Sequence, residues 1–193
     1  ISNMGYITTL LSPEQRERSG PKNGALATAT VGFDPSGAIS VAVSSVPQGQ
    51  GHRTVLAQVA ADVFGLEPKD VAVMTEHDTG KDAWSIASGN YSSRFAGAVA
   101  GATHTAAMQL RDRLTLIAAA DLNVPPEDVA YGEGRIFAAT NPDNALPLGR
   151  SAAKAHWSPL SVPDGAGAGL RETAFWNMPE LAEPDEGDRI NSS

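Results

Sequence analysis

The sequence contains no cysteine among its 193 residues. That absence excludes disulfides, thiolate catalysis, iron–sulfur ligation and cysteine-ligated zinc sites within this chain. Basic residues are few, with 14 lysines and arginines against 22 acidic residues and a net charge of −8. Because nucleic acids and anionic membranes are bound through basic surfaces, this balance argues against both kinds of partner. No apolar run approaches the roughly 20 residues that a membrane-spanning helix needs.

The composition is nevertheless that of a folded domain. Hydrophobic residues make up 41% and charged residues 19% of the chain, which excludes full disorder, collagen and a coiled coil. The length suits one ordinary domain, or one domain with a long appendage. The chain begins Ile1-Ser2-Asn3, without an initiator methionine or the apolar core of a signal peptide. We therefore expect a processed or expressed piece of a longer protein, or ragged ends.

Residues 25–121 carry the clearest secondary-structure pattern, in the order β-β-α-β-α. Residues 25–33 and an alternating segment that begins at Ile39 predict a hairpin, because residues 34–37 between them supply turn chemistry. A helix ends at Gly65, a good left-handed cap. Its apolar positions recur at helical spacing: Val55, Val59, Val63 and Phe64, with Leu56 and Ala60 beside them.

The second half of this pattern is a strand over residues 70–75, a long connection over residues 76–92 and a long helix over residues 93–121. The stripe of that helix expected to be buried consists of small residues: Gly97, Ala98, Gly101, Ala102 and Ala106. Because glycine inside a helix otherwise costs about 1 kcal/mol relative to alanine, we expect something to pack very close to this stripe.

The remaining chain is less regular. A hairpin is predicted around residues 132–134 and a short helix over residues 148–157, before a Pro, Gly and acid-rich tail. Phe175, Trp176 and Met178 in that tail favour burial, which indicates a missing partner surface. The predicted division is an irregular segment 1–23, a ββαβα domain 24–122, a small αβ extension 123–157 and a tail 158–193 that packs on missing regions.

A weak internal repeat occurs in the sequence. Residues 66–72 and residues 124–130 both read as a helix exit, a proline-containing turn and the start of a strand. We interpret them as related joints between a helix and a strand, although a match of this length also arises by chance.

The segment Gln48-Gly49-Gln50-Gly51-His52-Arg53-Thr54 lies between a predicted strand and a predicted helix. Its glycines allow unusual φ and close backbone approach, and a helix N-terminus offers free N–H groups. With the two glutamine amides, this predicts a cradle for an anion or a heterocycle. A tight turn with a polar cap is the equally good alternative. The spacing matches neither a P-loop nor the dinucleotide-binding fingerprint.

The segment Ser88-Gly89-Asn90-Tyr91-Ser92-Ser93-Arg94 opens the second long helix. Its hydroxyl and N–H groups suit a diphosphate, and Arg94 is placed to pair with a phosphate or to hold the loop. The alternative is a capping segment with Ser92 or Ser93 as the N-cap. Two such openings in one domain favour the functional interpretation, because both helices then point to one ligand.

Other polar residues give weaker signals. The four histidines are not spaced as metal ligands; we expect His52 to cap or orient the glutamine loop and His104 to pack in the core. Glu76, Asp78 and Asp82 on the long loop suit a metal or acid–base chemistry, but such acids more often bond loop N–H groups.

Taken together, these motifs resemble the large, molybdenum-binding subunit of the xanthine dehydrogenase/aldehyde oxidase family. The resemblance covers about residues 20–135 and rests on an ordered set of residues. They are Gln48-Gly49-Gln50-Gly51-His52-x-Thr54, Gln58, Ala61-Asp62, Gly65-Leu66, Asp70-Val71, Asp78-Thr79 and Gly89-Asn90-Tyr91-Ser92-Ser93-Arg94. The sequence departs from the usual family pattern at Asn90, Ser92 and Phe95, where the family has Thr, Gly and Ser, and its loop from Asp78 is about two residues longer.

The resemblance implies an α+β fold, a two-layer β-β-α-β-α molybdenum cofactor-binding repeat with an irregular C-terminal extension. It implies that both loops hold molybdopterin, in its cytosine dinucleotide form. Residues Gln48 and Gln50 would then lie nearest the pterin and the metal, and residues 88–94 would contact the diphosphate or nucleotide. It further implies a hydroxylase that oxidises an aldehyde or N-heterocycle with water-derived oxygen. A cytoplasmic location is the default expectation, because no signal is seen and the cofactor is made inside the cell.

The same resemblance implies that this chain is incomplete as an enzyme. The family's glutamate base lies in a Gly-x-Gly-Glu context well downstream, and no such motif follows Gly134. The expected partners are the remaining parts of the molybdenum subunit and separate iron–sulfur and FAD subunits, and no turnover is expected from the chain alone. Two alternatives remain: a scaffold domain that has lost the cofactor, and an unrelated enzyme that uses the acidic loop with a divalent metal.

Overall fold

The computed structural model describes residues 26–76, 78, 80 and 95–176. In chain order its elements are β1 (Ala27–Phe33), β2 (Ile39–Val43), α1 (His52–Phe64), β3 (Val71–Met74), α2 (Ala100–Leu122), β4 (Val129–Gly132), β5 (Arg135–Ala138), β6 (Asn141–Pro147), α3 (Leu148–Trp157) and β7 (Arg171–Trp176). A π-helical turn, Phe95–Val99, leads into α2. The predicted order β-β-α-β-α is confirmed. No helix in these described ranges has both the length and the apolarity to cross a membrane.

Two sheets organise the fold, as expected for an α+β chain. The main sheet has the order β3-β2-β1-β7, and the small sheet has the order β4-β5-β6. β1 is antiparallel to both of its neighbours, whereas β2 and β3 run parallel. Helices α1 and α2 pack on each other and on one face of the main sheet, which makes this part a two-layer structure.

The core lies between that sheet face and the two helices. β1 contributes Ala27, Ala29, Val31 and Phe33, which are all buried. The helix α1 ends at Gly65 in the left-handed conformation, as predicted. Its buried face is centred on Leu56, Ala60 and Phe64, whereas Val55 and Val59 are only half-buried. The predicted apolar stripe is therefore confirmed except at Val55 and Val59, which lie at the margin of the buried face.

Close packing on the small residues of α2 is confirmed at Gly101. A Cβ atom there would lie 2.4 Å from the indole Nε1 of Trp176. That Nε1 donates a hydrogen bond to the Gly97 carbonyl, 3.2 Å away. The prediction that Trp176 packs on a missing partner is thus wrong, because Trp176 packs on α2 of the same chain. His104 was also placed wrongly, because it is exposed rather than in the core.

Arg113 of α2 fastens the segment that leads into β7. Its Nε donates to the Ala166 carbonyl at 2.6 Å, and its guanidinium forms an ion pair with Glu172 at 2.5 Å. Gly169 accepts a further bond at 2.6 Å through its carbonyl oxygen. Residues 166–176 therefore belong to the main sheet region, although the sequence analysis assigned them to a tail.

The two helix-to-strand joints have the same geometry, which explains the weak repeat between residues 66–72 and residues 124–130. Gly65 and Asn123 both adopt left-handed φ values, 64° and 56°, after α1 and α2. A short 3-10 turn follows in each case, Pro68–Asp70 in the first joint and Pro126–Asp128 in the second. Each turn then delivers the chain into a strand, β3 or β4.

Strands β6 and β7 were not predicted from the sequence. Asn141-Pro142-Asp143 opens β6, and these residue types are depleted in strands. β6 and β7 are both edge strands, where proline and charged side chains are tolerated because one side of the strand makes no ladder bonds. The predicted hairpin around residues 132–134 and the helix over residues 148–157 are confirmed.

Tyr131 of β4 joins the small sheet to α2. Its hydroxyl lies 2.8 Å from Thr115 Oγ1 and donates more weakly to the Arg111 carbonyl at 3.4 Å. The Arg111 guanidinium lies 4.6 Å from the centroid of the ring. Burial raises the pKa of Tyr131 from 10.0 to about 12, against the opposing effects of Thr115 and Arg111.

This shift predicts a loss of stability at high pH. The raised pKa keeps the phenol protonated in the folded state, so its contribution is complete below pH 10 and is lost as pH rises from 10 to about 12. The full difference corresponds to roughly 3 kcal/mol. Denaturant unfolding between pH 9 and 12 measures it, and Tyr131→Phe should flatten the pH dependence in that window. An unchanged slope in the variant would assign the alkaline loss to other groups.

Candidate functional site

The glutamine loop lies where two parallel strands end. The chain leaves β2 through Ser45 and residues 46–51 and then enters α1 at His52. It leaves β3 through Thr75, whose Oγ1 accepts a bond from Arg53 Nε at 3.3 Å. The carboxyl ends of β2 and β3 and the N-terminus of α1 therefore meet at one edge of the sheet. Ligands of open α/β sheets bind at such edges.

Both glycines of the loop use their conformational freedom. Gly49 has φ 98° and Gly51 has φ 78°, a region that other residues enter at a cost. A Cβ atom at either glycine would find no atom within 4 Å among the described residues. The backbone N–H of Gln48 donates to Gln50 Oε1 at 2.5 Å, which folds the Gln50 side chain over the loop. The loop thus has a defined conformation, and its glycines leave room beside the backbone.

The N-terminus of α1 is open to a ligand. Gly51 is the N-cap in a left-handed conformation, with no side-chain cap, and no acidic residue lies in the first turn. The first turn therefore presents uncapped N–H groups and the positive end of the helix dipole. The four residues that precede His52 are exposed, so this end of the helix is accessible. Backbone groups arranged in this way bind phosphate and other anions.

His52 is the first residue of α1, and its side chain points inward rather than capping the loop. It is fully buried. Its Nδ1 lies 3.3 Å from both the hydroxyl and the carbonyl oxygen of Ser45. Its Nε2 is buried without a hydrogen-bond partner in the part of the chain that the structure describes. A buried polar atom of this kind is normally bonded to a water molecule, an ion, a ligand or another part of the protein.

Two residues of the acidic loop, Glu76 and Asp78, have contacts in the described part of the chain. Glu76 lies 3.6 Å from Arg53 in an exposed ion pair, and Asp78 Oδ1 accepts a bond from the Gly80 N–H at 2.8 Å. Asp82 lies outside the described residues. Within the described ranges, no group of three or more His, Asp or Glu side chains is placed to hold a metal. The acid–base and metal interpretation of this loop therefore has no geometric support there.

The second predicted segment, residues 88–94, lies outside the described residues. The next residue, Phe95, stacks on His52 with a centroid distance of 3.7 Å and an interplanar angle of 7°. Phe95 opens the π-helical turn that leads into α2. The stack therefore brings the start of α1 and the π-helical turn before α2 together.

Sequence reasoning missed three residues of this edge. Ser45 was not singled out in the sequence, but it is buried beside His52. Thr75 directly follows β3 and is also buried, and its hydroxyl oxygen accepts a hydrogen bond from Arg53. Phe95 was noted as a departure from the family pattern, without a structural reason. In the sequence, the signal that could have indicated these contact residues is a histidine directly after a glycine loop.

Comparisons with known proteins agree with the resemblance named from the motifs. Residues 3–192 match the family model of the molybdopterin cofactor-binding domain. The nicotine 6-hydroxylase large subunit of Paenarthrobacter nicotinovorans is 33% identical over 150 residues, which cover 78% of this chain and 18% of that protein. The carbon monoxide dehydrogenase large chain of Afipia carboxidovorans is 26% identical over 157 residues, which cover 81% of this chain and 19% of that protein.

Comparison with a solved structure supports the same fold. Quinoline 2-oxidoreductase from Pseudomonas putida 86 superimposes with a TM-score of 0.75 and 31% identity, over 86% of this chain and 21% of that chain. This chain thus spans about a fifth of the length of the relatives it matches. The chain belongs to the molybdopterin cofactor-binding domain family, and it corresponds to one part of the large subunit of xanthine dehydrogenase-type molybdenum hydroxylases.

Proposed function

We propose that the glutamine loop, Gln48–Thr54, is the part of this chain that holds the molybdenum cofactor. The observation that carries the proposal is the uncapped N-terminus of α1 behind two glycines beside which the described residues leave room. The residues fit such a group, because a pterin carries ring nitrogens and oxygens and its side chain carries phosphate. Backbone N–H groups and glutamine amides match both.

Each residue of the loop has a distinct role in this proposal. The N–H groups of the first turn of α1 donate to phosphate oxygens, where the helix dipole also favours negative charge. The Gln48 and Gln50 amides donate to and accept from the pterin edge, and Gly49 and Gly51 let that edge approach the backbone. When bound, the cofactor supplies hydroxylation of a substrate carbon with water-derived oxygen. The chain's own part is binding and orientation.

We extend the proposed site to Ser88, Gly89, Asn90, Tyr91, Ser92, Ser93 and Arg94. Support comes from Phe95, which directly follows them in the sequence and stacks on His52 beside the glutamine loop. We propose that the hydroxyl and N–H groups of this segment bind a dinucleotide tail, which favours the cytosine dinucleotide form. This finer assignment of the cofactor remains a proposal.

The substrate class proposed for the whole enzyme is an N-heterocycle. Two of the relatives named above carry nicotine and quinoline in their names, both of them N-heterocycles. We retain the expectation that this chain alone has no turnover, because it spans about a fifth of its relatives. Iron–sulfur and FAD subunits are the proposed electron acceptors, and a cytoplasmic location is proposed with them.

We further propose that other parts of the same large subunit cover the sheet face opposite the helices. A groove of about 540 Å³ lies on that face, with Thr30 and Ala42 on its floor and Met74 at its side. Met74 and Phe175 are 39% and 64% exposed on that face, at the two edges of the sheet. Four-fifths of each relative's length lies outside this chain, which supplies enough protein to cover it.

Elemental analysis of the native assembly, purified through this chain, tests the proposed function. We expect molybdenum near one atom per copy of the chain, together with co-purifying chains that carry iron and flavin. Mass spectrometry of the co-purifying chains identifies the partners, and the pterin released by denaturation shows whether it carries cytosine dinucleotide. An intact assembly that contains no molybdenum would favour the alternative, a scaffold domain that has lost the cofactor, for which Asn90, Ser92 and Phe95 are the motivating departures.

A further inference from the structure

Two large apolar side chains are exposed to solvent at the end of α3. Trp157, the last residue of α3, is 75% exposed, and Leu160 in the 3-10 turn that follows is 102% exposed. The sequence from residue 157 to residue 163 contains no charged side chain. Trp157 and Leu160 together form the α3 patch, an apolar surface of a kind that marks interaction sites when its members are neighbours.

The α3 patch is held in a defined conformation. The indole Nε1 of Trp157 donates a hydrogen bond to the Pro35 carbonyl oxygen at 2.7 Å. In the 3-10 turn, the N–H and the hydroxyl of Ser161 both donate to the Ser158 carbonyl oxygen, at 3.0 Å and 2.9 Å. A surface that is ordered before binding loses little conformational entropy when a partner covers it. The exposed tryptophan and leucine are therefore suited to act as anchors of an interface.

The α3 patch continues the open face of the main sheet. One end of the groove on that face is lined by Pro35 and His156. Pro35 accepts the hydrogen bond from Trp157, and the Nε2 atom of His156 lies 2.9 Å from the Phe33 carbonyl oxygen. Since His156 and Trp157 are consecutive in α3, one continuous surface extends from the groove to Leu160.

The size of the α3 patch indicates what kind of partner covers it. An aromatic side chain buries roughly 150 to 250 Å² in a contact, and one leucine adds less than that. A stable interface between separate proteins buries about 800 Å² on each partner. The α3 patch alone is therefore too small to hold a second copy of this chain, and it fits as one end of a larger covered surface.

We propose that an apolar, uncharged segment of the same large subunit, outside residues 1–193, packs on Trp157 and Leu160. This rests on the proposed function, in which other parts of the large subunit cover the groove, and it adds the anchor residues and the extent of that interface. Four-fifths of each relative's length lies outside this chain and is available to supply the segment. An apolar segment fits, because the lysine of α3, Lys154, is already paired with Asp121.

The α3 patch and the glutamine loop lie at opposite ends of β2. Pro35 belongs to the turn before β2, whereas the glutamine loop follows its carboxyl end. The five residues of β2 separate these ends by roughly 15 Å. Because Leu160 is fully exposed, it contributes nothing to the core of this chain. A substitution at Leu160 therefore tests the interface without touching either the core or the loop proposed to hold the cofactor.

Oxidation of Trp157 by hydroxyl radicals measures how well the α3 patch is covered in the native assembly. We expect the indole to react at least about tenfold more slowly than in the denatured assembly, because anchor residues of interfaces are fully desolvated. Leu160→Asp should remove most of this protection, since a carboxylate buried in an apolar contact is disfavoured. Leu160→Met is the matched control, which keeps an apolar side chain of similar volume and should keep the protection.

Phe33 reports whether the domain stays folded in these variants. It is 4% exposed in the core of this chain, so its oxidation should remain slow in all of them. Protection that is lost at Trp157 while Phe33 stays protected then reflects the interface alone.

Photocrosslinking identifies the segment that covers the α3 patch. With p-benzoylphenylalanine in place of Leu160, illumination of the native assembly should join this position to a peptide of the large subunit outside residues 1–193. A crosslink to an iron–sulfur or FAD chain, to a second copy of this chain or to residues 1–193 themselves would overturn the proposal.

Oxidation of Trp157 at nearly the denatured rate in the native assembly would also overturn the proposal, because the α3 patch would then face solvent. Full protection in Leu160→Asp would do the same, since Leu160 would not be an anchor. Neither readout needs molybdenum. A native assembly that lacks the metal would therefore reject the proposed role of the glutamine loop and still decide whether the large subunit covers the α3 patch.

Discussion

Replacing Gly37 by alanine should lower the free energy of unfolding by about 3 to 5 kcal/mol. Gly37 ends the β1–β2 turn with φ 83°, a conformation that disfavours any side chain. A Cβ atom there would lie 2.2 Å from the carbonyl oxygen of Gly149 and 2.6 Å from its Cα. Because the obstacle is backbone at the start of α3, no side-chain rotation relieves the clash.

A second glycine separates the two contributions to this loss of stability, the steric clash and the positive φ. Gly134 has φ 70°, but a Cβ there would first meet Leu66 Cδ2 at 3.9 Å, an ordinary contact. Gly134→Ala should therefore cost only about 1 to 2 kcal/mol. Denaturant unfolding of the purified protein measures both variants through the midpoint at constant slope. Equal costs for the two variants would show that α3 moves away from the turn.

The turn at residues 34–37 could be predicted from the sequence, whereas its contact with Gly149 of α3 could not. Asp34 Oδ1 accepts bonds from the Ser36 N–H at 2.8 Å and from the Ala38 N–H at 3.1 Å, a local pattern that sequence encodes. Hydrogen bonds from the Ser36 hydroxyl and the Ala38 N–H lower the pKa of this exposed carboxyl group. The contact between Gly37 and Gly149 spans more than a hundred residues, and no periodicity indicates which distant segments meet.

The same limit applies to the candidate site. The glycines, the uncapped helix start and the order of the elements could be predicted because they depend on neighbours in the sequence. The partner of Gly101 was expected, but Trp176 could not be identified, since an aromatic residue beside an acidic tail resembles a residue that faces another protein. Likewise the sequence does not tell which histidine is buried: His104 was expected in the core and is exposed, whereas His52 is buried.

Replacing Gly51 by asparagine should reduce the molybdenum content of the native assembly at least about tenfold, which corresponds to ~1.4 kcal/mol of binding. Asparagine tolerates the left-handed conformation better than other side chains, so the φ of 78° at this position adds little strain. Its side chain enters space in which a Cβ meets no described atom within 4 Å. If that space holds the pterin or its phosphate, the added amide displaces it.

Gly134→Asn is the control, because Gly134 has a similar φ of 70° and lies outside the loop. Both variants should unfold at the same denaturant concentration in cofactor-depleted protein, since neither added side chain meets close backbone. A loss of molybdenum in Gly51→Asn alone then places the cofactor against the glutamine loop. Full molybdenum content in Gly51→Asn would mean that the space beside Gly51 faces solvent or another part of the subunit, and that the uncapped start of α1 serves some other ligand.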